Sequence, residues 1–445
     1  MRDGVEPSRR MGSIALVPGA SPVQVGIFLV VVTVTMVMFM LVGNEQPYLL
    51  SQVMHIPAGQ QGRVTGLLQM VQYGAVALFI IPAGGLSDSL GRKPVLIAAM
   101  GGFVLTLLVM PFCASVGAMI VARALLGASS TGHTTGGATM MVDFPTNASR
   151  GKFIALMLVV QSVIGAAVVG WLLPRVPHWL MSRGLSETWA FRGCLFGVAA
   201  AGAAAILFGL LMLRPPPAPK AAMMTFATAL TTAREVLAHS RSDPAFGLVV
   251  LAAFVIRSDY FVTLAYLNLW VMNAAKLHGV SPLAAQQLIG TLFIVLNISL
   301  AVSPLLFGFV ADRVNRLWFL IVSLLATAAV FAATTLVGDV RGLGMVVVVA
   351  LIGLAETAQT IASQAVFGER APPALRGSSM SFLVLMGTIS VIVMSWLSGI
   401  LFDKLGFTAP FVFLAGLNIV FAAVAAVLVL RQKRRGGLEP IGVTL

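Results

Sequence analysis

Five side chains that can carry charge fall inside long apolar runs of this 445-residue chain: Glu45, Arg123, Arg257, Asp259 and Glu356. A charge at the centre of a bilayer costs about 2.5–3.5 kcal/mol on insertion scales, so each of them needs a partner or water. A carboxyl group in a dry site holds a proton, and a neighbouring arginine loosens it. Glu45, Asp259 and Glu356 are therefore candidates for taking up and releasing protons. Arg123 and Arg257 are candidates for holding an anionic group. His133, inside STGHTTGG (130–137), fits a proton relay, although a histidine among hydroxyl residues is more commonly a hydrogen-bonded packing residue. Tyr73, Tyr260, Tyr266 and Asn268 suit an amphipathic cavity wall, and Trp270 suits an interface anchor. The competing role for the charges is structural ion pairing, with Glu45 and Arg123 both in the outer portion of the first half. Arg257 and Asp259 are two residues apart and so face different sides of one helix.

A second cluster lies in a loop. GGLSDSLGRK (84–93) packs glycine and charge between two apolar runs, and a reduced copy, GFVADRVNR (308–316), follows. Gly84 and Gly85 allow a close helix approach, and Gly91 permits a turn. Asp88 can accept hydrogen bonds from a helix N-terminus, and Arg92 can pair with Asp143. In the second copy Gly308, Asp312, Arg313 and Arg316 hold the corresponding places. Gly84, Asp88 and Arg92 each recur 224 residues later. Further along, Asp143-x6-Arg150-Gly151 is matched by Glu369-x6-Arg376-Gly377, offset by 226, and both loops contain proline. Two loops recurring at nearly one offset point to duplication. Contacts of this kind, made in one arrangement of two halves and broken in another, are what a gate requires.

The elements that must position these residues follow from composition. Hydrophobic residues make up 58% of the chain and charged residues 10%, against about 25% charged in soluble domains. The runs are continuous rather than alternating, which excludes an outer-membrane barrel. Backbone in lipid must then be helical. Twelve runs are long enough to cross, from 24–48 through 115–142, the fourth, to 408–430. The expected fold is an all-α integral membrane protein with twelve transmembrane helices in two six-helix repeats. RPPPAPK (214–220) opens a Pro-rich spacer. The expected layout is residues 1–213 as the first repeat, 214–243 as a cytoplasmic linker, 244–431 as the second repeat and 432–445 as a tail.

The formal charge of +13 is a topology signal. With the N-terminus inside, 19 of the 28 basic residues fall in inside segments and seven outside, so both termini are expected in the cytoplasm. This argues against nucleic-acid binding. The first apolar stretch is too long for a signal peptide and lacks an obvious cleavage site, so a retained helix is expected. Cys113 and Cys194 form no disulfide or metal pattern.

The loop at 84–93 resembles the signature between helices two and three of the major facilitator superfamily. GFVADRVNR, Arg123-Ala-Leu-Leu-Gly127 and the two Pro…Arg-Gly loops are similar to other motifs of that family, and the resemblance spans the chain. It departs from the pattern at Ser89, where a basic residue is usual, and at Asn315, which replaces a glycine. The resemblance implies that helices one, four, seven and ten line a central cavity, that the first loop stabilises an outward-facing state, and that the protein is a monomer. It leaves the substrate open among sugars, acids, peptides, ions and drugs.

No Walker loop, Cys/His metal spacing or nucleophile–base pair is present, so neither an enzyme nor a cofactor is expected. The leading reading is a proton-coupled secondary transporter in a bacterial inner membrane, moving a small organic or anionic metabolite or ion by rocking-switch alternating access. Proton-driven drug efflux is the alternative. Gly165-Ala-Ala-Val-Val-Gly170 in helix five lacks the Gly-Pro pair of the family's drug antiporters and tilts against it. A non-transporting receptor on the same scaffold is the reading from another class.

Overall fold

The computed structural model describes residues 10–216, 226–311, 313–371 and 376–434. Asp312, Pro372-Pro373 and the tail beyond Arg434 lie outside them, as does the side chain of Arg376. Among the described residues twelve helical segments follow the twelve apolar runs. They are α1 (Pro22–Tyr48), α2 (Ala58–Leu90), α3 (Arg92–Val109), α4 (Val116–Gly132), α5 (Arg150–Gly165), α6 (Glu187–Met212), α8 (Pro244–Leu277), α9 (Pro282–Ala311), α10 (Arg316–Ala333), α11 (Leu343–Arg370), α12 (Arg376–Leu405) and α13 (Ala409–Arg434). The linker forms α7 (Phe226–Ser242), where the sequence pattern predicts only a weakly amphipathic stretch.

Eleven of the segments are long and apolar enough to cross a membrane. The fourth run is the exception, and its composition explains why. It is helical from Val116 through Asp143, but Arg123, His133 and a series of Ser, Thr and Gly residues dilute its apolar character.

Local chemistry sets the helix ends. Ser21 and Ser115 accept from the backbone N–H of Gln24 and Ala118, and Asp243 accepts from those of Ala245 and Phe246, the usual N-cap service. The apolar–polar boundary predicts that α2 ends near residue 82. The helix instead continues through Ser87-Asp88-Ser89-Leu90 and stops only at Gly91, whose φ of 94° lies where glycine is favoured. Three stretches in the first half are wound as π-helix: Leu49–Val53, His133–Ala138 and Ala166–Leu172. The last includes most of the Gly165–Gly170 stretch.

By internal contacts the chain divides into two units, residues 1–55 with 71–225, and 56–70 with 226–445. Thus α2 begins in the second unit and finishes in the first. In the second unit, Asp403 of α12 accepts from the backbone N–H of Gly62 and Arg63, each at 2.8 Å. Tyr266 donates to the Ser395 carbonyl at 2.5 Å beside them. In the first unit, a hairpin of β1 (Arg10–Met11) and β2 (Ile14–Ala15) lies against the turn after the fourth run. Val17 donates to the Phe144 carbonyl at 3.0 Å, Thr146 to that of Ala15, and Leu16 is fully buried.

The duplication inferred from the loops recurs in the packing. A Cβ on Gly127 of α4 would meet the backbone of Gln72 and, at 2.9 Å, the Cβ of Ala75 on α2. A Cβ on Gly353 of α11, 226 residues downstream, would meet Ser299 at 2.8 Å and the Leu296 carbonyl at 3.1 Å on α9. Residues 296 and 299 follow 72 and 75 by 224. The loop offsets of 224 and 226 therefore recur inside the two bundles, at one glycine-mediated crossing in each.

Candidate functional site

In the first unit Arg123 is the centre of a polar cage, while Glu45 and His133 stand elsewhere on α1 and the fourth run. The Arg123 side chain is buried. The guanidinium donates to Gln72 Oε1 at 2.9 Å, to the Val42 carbonyl at 3.4 Å and to Gln46 Oε1. These acceptors belong to α1 and α2, so a neutral amide and carbonyl cage holds the cation between three helices. Glu45 is buried on α1, one residue before Gln46. His133 opens the π-helical stretch of the fourth run, edge-on to Phe103 with ring centroids 6.5 Å apart, and its buried Nδ1 has no hydrogen-bond partner. π-Turns within α-helices commonly mark functional sites.

In the second unit Asp259 and Arg257 do face different sides of α8. Asp259 is 0% exposed and turned toward α11 and α13. Its Oδ2 accepts from Gln359 Nε2 at 3.0 Å and from Asn418 Nδ2 at 2.9 Å. Glu356 is buried beside it, and its Oε1 accepts from Thr263 Oγ1 at 2.7 Å. Asp259 lies within electrostatic range of Glu356. Among the described residues, neither carboxylate has a salt-bridge partner.

Arg257 is exposed and lines an open groove of about 280 Å³ with Tyr260, Phe261, Thr360, Ser363 and Gln364. Its guanidinium sits 5.1 Å from the centre of the Phe261 ring, a cation–π arrangement. A Cβ on Gly387 would come within 2.8 Å of the Arg257 stem, so this glycine makes room for it. Among the described residues no acid lies within salt-bridge distance of Arg257. Tyr260 is within electrostatic range of both Arg257 and Glu356 and links the groove to the buried acids.

The remaining expected wall residues belong to the core. Tyr266 is fully buried and serves the α12 backbone, Asn268 is buried, and Trp270 is 4% exposed against Phe411. Trp270 is therefore a core residue and not an interface anchor, because α13 covers the ring.

At the loops, Arg92 is shared by two acids. It donates to Asp88 Oδ1 at 2.7 Å and to Asp143 Oδ2 at 3.2 Å. Asp88 takes its hydrogen bond from this arginine, on the next turn of chain, rather than from a helix N-terminus. Nothing lies within 4 Å of a Cβ built on Gly84 or Gly308, so close packing does not explain these glycines. In the second copy Arg316 pairs with Glu369 at 3.3 Å, across a sequence separation of 53 residues against 51 for Arg92 and Asp143. Arg313 stacks on Phe309. Arg150 Nε is buried without a partner.

The residues missed from sequence are the neutral ones: Gln46, Gln72, Thr263, Gln359 and Asn418. Two left a signal. Gln359 lies three residues after Glu356 and Thr263 four after Asp259, so each shares a helix face with one acid while it bonds the other across the helix pair. Among the described residues no group of three or more His, Cys, Asp or Glu side chains is placed to hold a metal.

Comparison with known proteins fits this architecture. The chain is 25% identical over 411 residues to the magnetosome protein MamH of Paramagnetospirillum magneticum, covering 90% of this chain and 91% of that one. It superposes on a point mutant of the nucleoside transporter NupG with a TM-score of 0.70 at 18% identity, covering 90% of this chain and 99% of that one. A bacterial homolog of the human lysosomal transporter Spinster, solved inward-facing and unoccupied, gives 0.64 at 16% identity over 95% and 100%. A POT family transporter in complex with a thioalcohol-conjugated peptide gives 0.67 at 12% over 91% and 96%. The Major Facilitator Superfamily model matches residues 26–297 and 249–442. With two matches that together cover most of its length, the chain is a multi-pass membrane protein and a secondary transporter of the Major Facilitator Superfamily.

Proposed function

We propose that this transporter carries a small solute with an anionic group, bound in the groove of the second unit and coupled to protons through Asp259 and Glu356. The observation that carries the reading is Arg257, an arginine without an acid partner among the described residues, held over Phe261 in a mainly apolar groove to which Tyr260, Thr360, Ser363 and Gln364 add hydroxyl and amide groups. A cation so placed offers a fork of donors to a carboxylate or phosphate. Behind α8, Asp259 and, on α11, Glu356 are buried without a basic partner among the described residues. Protonation removes their charge, and a solute that moves Arg257 or Tyr260 alters the field at Glu356, which links the two fluxes. In the first unit the buried Glu45 is a further candidate for proton coupling and Arg123 for holding the anionic group, with His133 as a candidate relay. The Arg92–Asp88–Asp143 and Arg316–Glu369 clusters are the proposed gates of a rocking-switch cycle, and the loop pattern in the sequence assigns Arg150, Arg313 and Arg376 to the same gates.

On the bias of its basic residues we infer both termini in the cytoplasm at a bacterial inner membrane, and on the expectation for the superfamily we take the chain as a monomer. The likeness to a magnetosome protein adds a magnetosome membrane as a second candidate site.

Proteoliposomes with an imposed pH gradient test the reading. Uptake or extrusion of a carboxylate- or phosphate-bearing solute should follow the gradient, stop in Glu356→Gln, and weaken in apparent affinity in Arg257→Ala. Solute binding with no flux under any gradient would identify a receptor instead.

A further inference from the structure

We infer that the buried carboxylate pair in the second unit also forms a binding site for a hard metal cation held through oxygen. Among the described residues, four side-chain oxygens there are buried with no hydrogen-bond partner: Asp259 Oδ1, Glu356 Oε2, Gln359 Oε1 and Asn418 Oδ1. Asp259, Gln359 and Asn418 are 0% exposed and Glu356 is 4% exposed. They come from α8, α11 and α13, tied together because Asp259 Oδ2 accepts from both amides. Every unpartnered atom in the cluster is an acceptor.

An unmatched buried acceptor is costly, and an uncompensated buried charge more so. One water can donate to two acceptors and leaves both charges in place. One proton satisfies one carboxyl group. A cation answers the oxygens and the charge together. Carboxylate and amide oxygens, without sulfur or imidazole, match sodium, magnesium, calcium or manganese rather than zinc or copper. Two carboxylates balance a divalent ion; a monovalent ion would leave one charge for a proton to remove. Arg257 and Tyr260 are the charged or titratable groups on the groove side of α8, and Asn418 is the α13 side chain that meets Asp259.

The inference takes its meaning in transport from the proposal above, but its chemistry stands apart, since binding does not require flux. The test uses the full chain purified in detergent, in metal-free buffer. Sodium, magnesium, calcium and manganese chlorides are titrated separately, with choline chloride as the ionic-strength control, and the melting temperature is read. One or more of the four metal salts should raise it saturably while choline does not. Asn418→Ala and Asp259→Asn should each weaken the apparent affinity at least tenfold with unchanged elution from a sizing column. Arg341→Ala, in an exposed loop pair with Asp339, should leave the titration as it was. The inference falls if none of the four metals exceeds choline, or if the shift survives in the Asp259→Asn, Glu356→Gln double variant. Metal binding without solute flux would sink the transport proposal alone; solute flux without metal binding would sink this one alone.

Discussion

The two units solve opposite electrostatic problems with the same material. In the first, a buried guanidinium is surrounded by the amide oxygens of Gln46 and Gln72 and the Val42 carbonyl. In the second, buried carboxylates are met by the amide hydrogens of Gln359 and Asn418 and the hydroxyl of Thr263. An amide side chain can present either end, so glutamine and asparagine serve both signs of charge. The lesson lies in what each cage completes. Three acceptors meet Arg123 and leave its Nε unpartnered among the described residues, whereas the acid cluster keeps four acceptors unmatched. The first arrangement resembles a structural joint, and the second resembles a site awaiting a ligand.

Substitutions can break or sharpen this contrast. The largest effect is expected from Arg123→Met, which removes the guanidinium donor from Gln72 Oε1 and Gln46 Oε1. At about 1–3 kcal/mol for each buried acceptor that loses a donor, a loss of about 2 kcal/mol or more should appear as a clearly lowered melting temperature. Next come the paired crossings: Gly127→Val and Gly353→Val should each cost about 1–3 kcal/mol by overpacking. If only one does, the repeated joint is not equivalent in the two units. Asp259→Asn should change stability by less than about 1 kcal/mol, because replacing a buried charge by a neutral isostere is tolerated, while solute flux is lost. A large destabilisation by this variant would make the acid structural and erase the contrast. The smallest effect belongs to the gates. Arg316 and Glu369 are 38% and 26% exposed, and Arg316→Ala should cost about 0–1 kcal/mol. Arg92, at 11% exposure with two acids, should cost more on the same scale.

Much of this molecule was legible because lipid imposes few solutions. Each apolar run became a helix, and the turn at Gly91 and the Arg92–Asp143 pair could be read from residue types and spacing. Charges at depth were also visible, since nothing else interrupts the runs so expensively. Their partners were not. Gln72 and Asn418 are ordinary polar residues until tertiary packing brings them to Arg123 and Asp259, and no spacing along the chain encodes a contact between α4 and α2 or between α8 and α13. The terminal hairpin escaped for a similar reason: two-residue strands have no periodicity, and their stability comes from the turn at Phe144–Thr146. The continuation of α2 through Ser87–Leu90 was hidden because polarity at a membrane edge reads as a loop, whether or not the helix ends there.

The glycine knuckle shared by Gly127 and Gly353 has a consequence for how chemistry can be moved between the halves. Counting 226 from Arg123 reaches Val349, and counting back from Glu356 reaches Ser130. The joint is thus kept in both copies while the ionisable neighbours differ, so the scaffold tolerates either occupant near the same hinge-point. Ser130 and Val349 are therefore the equivalent places for a transplanted charge, and since Val349 is fully buried such a charge would have to bring its own polar partners while the crossing beside it stays as it is.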